Sequence, residues 1–172
     1  ETGEAVWHVG QPARVPVSSP VHADGVLYTS RGYRSGPYLA VRLDGEGDLS
    51  DQTLWRHETG APYVSSLLHL DGLVYMATET GVVSVVDAAS GETVWKERLG
   101  GYFSASPVVA GGRIYLLNEE SELFVIATGR EFQLLGQAEI GVRTLATPAL
   151  SEGQLFVRSD RHLQVYGSWQ PR

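Results

Sequence analysis

Apolar residues in this chain fall in runs of about four to seven, each bounded by glycine, aspartate, asparagine or serine. Valine, tyrosine, leucine and isoleucine fill the runs. Short runs of β-branched and aromatic residues between turn formers read as strands joined by hairpins. No segment keeps a 3.6-residue apolar period over 11 residues, so helix content is predicted to be near zero. Strands are predicted at 4–9, 26–29 and 39–43, then at 63–70, 73–77, 82–86 and 93–97. The same order follows at 105–109, 113–117, 123–127 and 131–135, and again at 144–150, 154–158 and 162–166.

The runs repeat. The phrase Asp87-Ala-Ala-Ser-Gly91-Glu92-Thr93-Val-Trp95 has partners ending at Trp7 and at Trp55, and a worn copy that puts Leu135 in the tryptophan slot. Trp55 to Trp95 is 40 residues, and Trp95 to Leu135 is 40 again. Trp7 to Trp55 is 48, because insertions at 31–37 and 44–52 lengthen the first unit. Long surface loops cost little extra closure entropy. Ser19-Pro20-Val21 returns as Ser106-Pro107-Val108 and Thr147-Pro148-Ala149, with Ser66-Leu67-Leu68 as the copy without proline. The turn Asp24-Gly25 matches Asp71-Gly72, Gly111-Gly112 and Glu152-Gly153; Tyr28, Tyr75, Tyr115 and Phe156 follow it, and Val41, Val85, Val125 and Val165 mark the third strands. A self-similarity of about 40 residues with one aromatic slot per unit signals a repeat architecture.

One four-stranded sheet has two faces and almost no core, so it must stack on another. Radial stacking gives a propeller, with the tryptophan on the outermost strand filling the wedge against the next sheet. The predicted fold is all-β: a β-propeller of four-stranded antiparallel blades, with four blades in the 172 residues. Blade units fall at roughly 19–57, 65–97, 105–137 and 144–168. Strand 4–9 has no predecessor and the last unit no fourth strand, so closure would join the two. Three assemblies follow: a closed four-bladed ring, two chains forming an eight-bladed ring, or a fragment of a longer eight-bladed chain with blades missing before its N-terminus. The small ring is the least favoured.

Composition narrows the chemistry. The formal net charge of −7 argues against nucleic acid or an anionic membrane surface as a general partner. There is no cysteine, which removes disulfides, thiolate metal sites and thiol nucleophiles. No apolar run reaches 18 residues, so no helical membrane span is predicted.

The Thr-Gly-Glu-x-x-Trp phrase, with its Ser-Pro-Val, Asp-Gly and Tyr landmarks, resembles the quinoprotein-like (PQQ-like repeat) β-propeller family. Asp87-x-x-x-Gly91-Glu92-x-x-Trp95 and Ser106-Pro107-Val108-x-x-Gly111-x-x-x-Tyr115 are near-consensus copies. The resemblance covers nearly the whole chain. It implies seven or eight blades in a full ring and a periplasmic or extracellular bacterial setting. The family spans quinone-dependent alcohol dehydrogenases, an outer-membrane assembly lipoprotein and secreted proteins without assigned activity. Its enzymes set a vicinal cysteine pair against the quinone and hold calcium with carboxylate and amide. Here there is no cysteine and one asparagine, Asn118, so no quinone or calcium residue carries over. The resemblance therefore implies a non-catalytic binding or scaffold module for a protein or small-molecule partner. Part of a quinone-dependent dehydrogenase and a carbohydrate-binding propeller are the alternatives.

No catalytic, cofactor or metal site is assigned. The acidic loop Asp44-Gly45-Glu46-Gly47-Asp48, with Asp51, has calcium-type ligands but not the EF-hand spacing, and a solvated hairpin explains it. His8, His22, His57, His69 and His162 form no tight pair. The partner-binding candidates are Arg31, Tyr33, Arg34 and Tyr38 on the first long loop, Tyr63, Tyr102 and Phe103 at the entry to first strands, and Arg143 in the fourth unit. Arginine and aromatic residues are the commonest interface anchors. Packing between blades is the competing role for Tyr63, Tyr102 and Phe103. Trp7, Trp55, Trp95 and Leu135 are assigned to structure.

Overall fold

The computed structural model describes residues 2–10, 15, 17–32 and 36–167. Its elements are strands, apart from a three-residue 3-10 turn at Ser50–Gln52. Four antiparallel sheets follow one another along the chain, and we term them blades 1 to 4. Blade 1 holds β2 (Val21–Ala23), β3 (Val26–Ser30), β4 (Tyr38–Arg42) and β6 (Thr53–His57). Blade 2 holds β7 (Leu68–Leu70), β8 (Leu73–Ala77), β9 (Val82–Asp87) and β10 (Thr93–Arg98). Blade 3 holds β11 (Val108–Ala110), β12 (Arg113–Leu117), β13 (Glu122–Ala127) and β14 (Leu134–Glu139). Blade 4 has three strands, β15 (Ala149–Ser151), β16 (Gln154–Arg158) and β17 (Leu163–Tyr166). Two short strands, β1 (Trp7–His8) and β5 (Gly47–Asp48), pair parallel with each other.

The first strands are shorter than the apolar pattern suggests. Residues 63–67 and 105–107 turn instead to the neighbouring blade. Ser19 N–H donates to Ser66 Oγ at 2.9 Å, Ser66 N–H to Ser106 Oγ at 2.9 Å, and Ser106 N–H to Thr147 Oγ1 at 3.0 Å. The recurrent Ser/Thr before each first strand is therefore a rung that joins four blades in one direction. A backbone donor that leaves its own sheet must find such a partner.

The apolar core lies between blades. Tyr28, Ala40 and Trp55 of blade 1 meet Val74, Met76 and Val86 of blade 2. Tyr75, Val83 and Val85 of blade 2 meet Ile114, Leu116 and Ile126 of blade 3. Leu117 and Leu123 of blade 3 meet Leu155 and Val157 of blade 4. Opposite faces of one strand thus serve two different junctions, as a period of two requires.

The tryptophan slot explains the glycine of its repeat phrase. Trp55 is 8% exposed, and its indole N–H donates to the Ala88 carbonyl at 2.8 Å in the β9–β10 turn of the next blade. Gly91, at φ +75°, lies flat on that indole; a Cβ there would stand 2.7 Å from Cγ and Cδ2 of Trp55. Trp95 repeats the arrangement, donating to the Gly129 carbonyl at 3.1 Å and packing edge-on to Phe132. The Trp and Gly that neighbour each other in sequence therefore act across consecutive junctions.

Three expectations are corrected. Strand 4–9 does not complete blade 4: β1 pairs with β5, Trp7 opposite Gly47 and His8 opposite Asp48. Trp7 and Val9 pack on Leu39, Val41 and Leu49 of the first unit, the face turned away from blade 2. The inserted loop supplies the partner edge: Val6 and His8 carbonyls accept Gly47 and Leu49 N–H at 2.9 Å. Leu135 does not hold the tryptophan slot. Ala40 faces Trp55 and Val85 faces Trp95, while the equivalent Val125 faces Gly136. One extra residue in the 128–133 turn shifts the register, leaving Leu135 in the bulge, 45% exposed. For the same reason of register, Ala40 rather than Val41 matches Val85, Val125 and Val165: each of these faces the Tyr or Phe of its second strand, and Val41 points to the opposite face.

Two outcomes test these junctions. Trp55→Ala is expected to lower unfolding stability by about 3–5 kcal/mol, through lost burial and the cavity left. Gly91→Ala is expected to be strongly destabilising beside Trp55 but milder in a Trp55→Ala background, where only the backbone strain persists; urea unfolding of the double-mutant cycle measures this coupling. The second outcome concerns acid. The Arg130 guanidinium, 2.9 Å from Asp87, and then N–H bonds from Ser90 and Ala89, hold the Asp87 carboxyl below the usual range. A depressed carboxyl stabilises the fold above its unfolded pKa of about 3.9 and loses that contribution as pH falls through the folded value. Asp87→Asn is expected to lower the Tm by a roughly constant amount at neutral and alkaline pH and to flatten the acid limb of a Tm-against-pH profile, where the wild-type contribution is lost.

Candidate functional site

The connections between second and third strands and those between blades meet at one end of the stack. Residues 78–81 and 118–121 make the first kind of turn in blades 2 and 3. Leu99 N–H donates to the Gly81 carbonyl at 2.9 Å, and Ile140 N–H to the Ser121 carbonyl at 2.8 Å. Each connector is thus tied to the turn of the blade it leaves. Carboxylates do the rest. Glu79 accepts Tyr63 N–H at 3.2 Å, and Glu120 accepts Tyr102 N–H at 2.9 Å. Glu119 takes the Ser104 hydroxyl at 2.6 Å on one oxygen and Arg143 Nη2 at 2.9 Å on the other. Its carboxylate therefore bridges the connector entering blade 3 to the one entering blade 4.

Glycine is required where this network is tightest. Gly101 sits at φ +69°, and a Cβ there would run into the Asn118 side-chain amide and the Glu120 carboxylate. Asn118 itself closes its turn, with Oδ1 accepting Glu122 N–H and Nδ2 donating to Glu122, both at 2.8 Å.

The structure sorts the sequence candidates. Tyr102 is exposed at 38%, and the Arg143 side chain is exposed beside its Glu119 partner. Tyr63 and Arg31 are half-buried on the same end, with Arg31 N–H donating to the Pro37 carbonyl at 2.9 Å. Tyr38 is corrected to a core residue, and Phe103 takes the packing role that competed with partner binding. Tyr38 is buried and stacks on His57 with ring centroids 4.7 Å apart; Phe103, 1% exposed, packs on Phe124. Tyr38 lies on β4 and Phe103 on the connector entering blade 3, outside any strand, and both side chains are buried. Tyr33 and Arg34 lie outside the described residues.

Sequence reasoning missed Glu79, Glu119 and Glu120. Their signal was present: Glu79 and Glu119 each stand two residues past the end of a second strand, and Glu120 follows Glu119. The resulting patch is an aromatic ring among acids with one arginine. Partial burial, then the Glu79 and Glu119 carboxylates, push the Tyr102 hydroxyl above its usual value. The patch can offer a hydroxyl donor, carboxylate acceptors and a guanidinium, which suits polar recognition. Among the described residues, no three His, Cys, Asp or Glu side chains gather as a metal ion would need. In the acidic loop, Asp48 accepts the Ser50 N–H at 2.9 Å and the Ser50 hydroxyl, closing the turn beside β1. The hydroxyl of Ser104 is committed to Glu119, and that of Ser106 to the inter-blade rung.

Replacing Glu79 and Glu119 together by glutamine is expected to move the Tyr102 titration downward, towards about 10. Absorbance of phenolate at alkaline pH, with Tyr102→Phe as the reference, measures the change; an unmoved titration would contradict the acidic surround.

Comparison with known proteins places the repeat. A family model described as outer membrane protein assembly factor BamB matches residues 44–131 and 79–167. Among curated relatives, the outer membrane protein assembly factor BamB of Alkalilimnicola ehrlichii is 30% identical over 168 residues, covering 91% of this chain and 41% of the relative. That of Yersinia pestis is 27% identical over 147 residues, covering 81% of this chain and 36% of the relative. Among solved structures, BamB from Moraxella catarrhalis superposes with a TM-score of 0.69 at 17% identity, over 88% of this chain and 43% of that one. The quinohemoprotein alcohol dehydrogenase from Comamonas testosteroni gives 0.67 at 14% identity, over 90% of this chain and 30% of that one, a likeness of fold alone. The chain spans about a third to two fifths of the length of the curated relatives it matches. It belongs to the BamB family of PQQ-like repeats.

Proposed function

We propose, with membership of that family as the premise, that the chain is a non-catalytic propeller module that holds protein partners during outer-membrane protein assembly, on the periplasmic side. Its four units, 19–57, 65–97, 105–137 and 144–168, make one region. The observation that carries the reading is the family match running through three of the four blades. The built surface supports it. Tyr102 and Arg143 stand exposed on a rigid frame of turns, fixed by Glu119 and Glu120. Rigid anchors bind with little ordering cost. Tyr63 and Arg31 flank them on the same end.

The quinone chemistry of the dehydrogenases with this fold does not fit the residues present. The chain has no cysteine, and Asn118, its single asparagine, spends its amide on Glu122. Nothing in the blade junctions offers a replacement ligand set among the described residues.

Binding of the purified chain to purified periplasmic domains of outer-membrane assembly components, measured by biolayer interferometry, tests this function. Tyr102→Ala combined with Arg143→Glu is expected to weaken binding by about 30-fold or more, since interface anchors of this kind contribute about 2 kcal/mol or more. Tyr102→Ala alone should change the Tm little, whereas Arg143→Glu also breaks the Arg143–Glu119 pair, so an unchanged circular dichroism spectrum is required before the loss is read as binding. No binding by the unaltered chain to any such domain, or binding that ignores both substitutions, would count against the proposed surface.

A further inference from the structure

A cleft of about 520 Å³ lies between blades 1 and 2, at the end of the stack opposite Tyr102. Both blades that form it are complete. The hairpin tips at Asp24 and at Asp71-Gly72 line it, together with the β9–β10 turn. The junction between blades 2 and 3 has the same register. Ala88 N–H donates to the Gly72 carbonyl at 2.9 Å, as Thr128 N–H does to that of Gly112 at 3.4 Å, which matches Ala89 with Gly129. In the blade 2–3 junction the Tyr75 hydroxyl accepts Gly129 N–H at 2.8 Å. In the blade 1–2 junction Ala89 N–H goes to Asp87 instead, at 3.1 Å, and the Tyr28 hydroxyl makes no hydrogen bond among the described residues. Tyr28 is 5% exposed, and it lines the cleft. Burial, then the Asp24 and Asp87 carboxylates, push its hydroxyl above the usual value, so both acids lie near it. Other positions differ in the same direction. His69, Asp71 and Asp87 stand where the blade 2–3 junction has Val109, Gly111 and Ala127. His69 stacks on Tyr28 with ring centroids 5.2 Å apart. Blade packing does not require these polar groups, since the neighbouring junction packs without them. Arg42 ends β4 on the face that Ala40 turns to blade 2; it is exposed and makes no ion pair among the described residues. Arg130 enters from blade 3 and is held by Asp87 at 2.9 Å.

We propose that this cleft binds a neutral, polyhydroxylated ligand, a mono- or disaccharide. Carboxylates and guanidinium groups line it together, so a ligand carrying charge of one sign meets repulsion from one of the two sets. A hydroxyl both donates and accepts. A sugar can therefore donate to Asp24 and Asp71 and accept from Arg42 and the Tyr28 hydroxyl. Val26 and Leu54, the latter 40% exposed, offer apolar surface to the C–H face of a ring. The volume falls within the range of about 300–1,000 Å³ usual for small-molecule sites, which combine apolar lining with a few convergent polar groups. A tyrosine hydroxyl generally finds a partner when its ring is buried, and a ligand hydroxyl in the cleft supplies one to Tyr28. One wall is set in advance: Asp87 holds Arg130 and the Ala89 and Ser90 N–H groups, which lowers the ordering cost of binding. The cleft and the partner-binding surface lie at opposite ends of the stack, and either reading can fail alone.

Backbone-amide NMR of the isotope-labelled chain, titrated separately with maltose, cellobiose and diacetylchitobiose, tests the site. At least one of these sugars is expected to shift the His69, Gly72 and Ala89 amides saturably and to leave Gly112 and Gly129 unmoved. Tyr28→Phe removes only the unpartnered hydroxyl; it is expected to leave the Tm unchanged and to weaken binding about 5- to 10-fold, the worth of one hydrogen bond. Arg42→Ala, at an exposed side chain, is expected to act alike. Tyr75→Phe is the contrast: it strips the acceptor from Gly129 N–H, so it lowers the Tm and leaves sugar binding as it was. No saturable shift with any of the sugars would overturn the proposal, as would binding that ignores both Tyr28→Phe and Arg42→Ala. A lysine-rich or glutamate-rich peptide that shifts the same amides where the sugars do not would overturn it in favour of a charged ligand.

Discussion

Burial of a sheet face against the next sheet is the constraint on which this structure depends. A lone four-stranded sheet of short strands has too little core to persist in water. Here the apolar side chains of blades 2 and 3 are each shared between two junctions, and Trp55 and Trp95 each reach the turn of the next blade. Trp55 contributes roughly 2–3 kcal/mol by transferred area, and its indole N–H also takes a carbonyl of the next blade. The tryptophan is thus both filler and clasp. Its flat ring demands that the opposing turn carry no side chain, which is why Gly91 sits where it does.

The same constraint orders the inner connections. In blades 1 to 3 the residue two before the first strand gives its N–H to a hydroxyl of the next blade. The same connectors meet the turns between second and third strands at one end of the stack, where the surface proposed for recognition lies. Its turns are held by carboxylates that bond connector backbone, leaving Tyr102 and Arg143 exposed on a fixed frame. Scaffold and surface are linked through Glu119, which reaches a connector hydroxyl and Arg143 together.

Much of this was legible before any coordinates. The 40-residue step, the recurrent Ser-Pro-Val and the Trp slot pointed to an all-β succession of four-stranded antiparallel sheets, because turn chemistry and a period of two leave few other solutions. The sequence was less informative where one residue of slippage matters. A single extra residue before β14 moved Gly136 into the tryptophan slot, and apolar counting cannot see a bulge. Tyr38 read as a surface anchor because loop position does not reveal which way a side chain points; for Phe103 the competing packing role is the one its burial supports. The pairing of β1 with β5 was hidden because the acidic insertion looked like a solvated loop, whereas Gly47 and Leu49 use their N–H groups to hold Val6 and His8. Glu119 was overlooked because its role depends on two connectors that are adjacent only in space.

Cooperation between blades through the rungs is the centre of this account, and amide hydrogen exchange tests it most directly. The N–H groups of Ser66 and Ser106 lie outside every strand, so within-sheet pairing cannot protect them. If the junctions hold the fold together, both amides exchange as slowly as those of the central strands β8 and β12. Exchange of both at the rate of free loop amides, with β8 and β12 still protected, would contradict it: each blade would then be standing on its own hydrogen bonds.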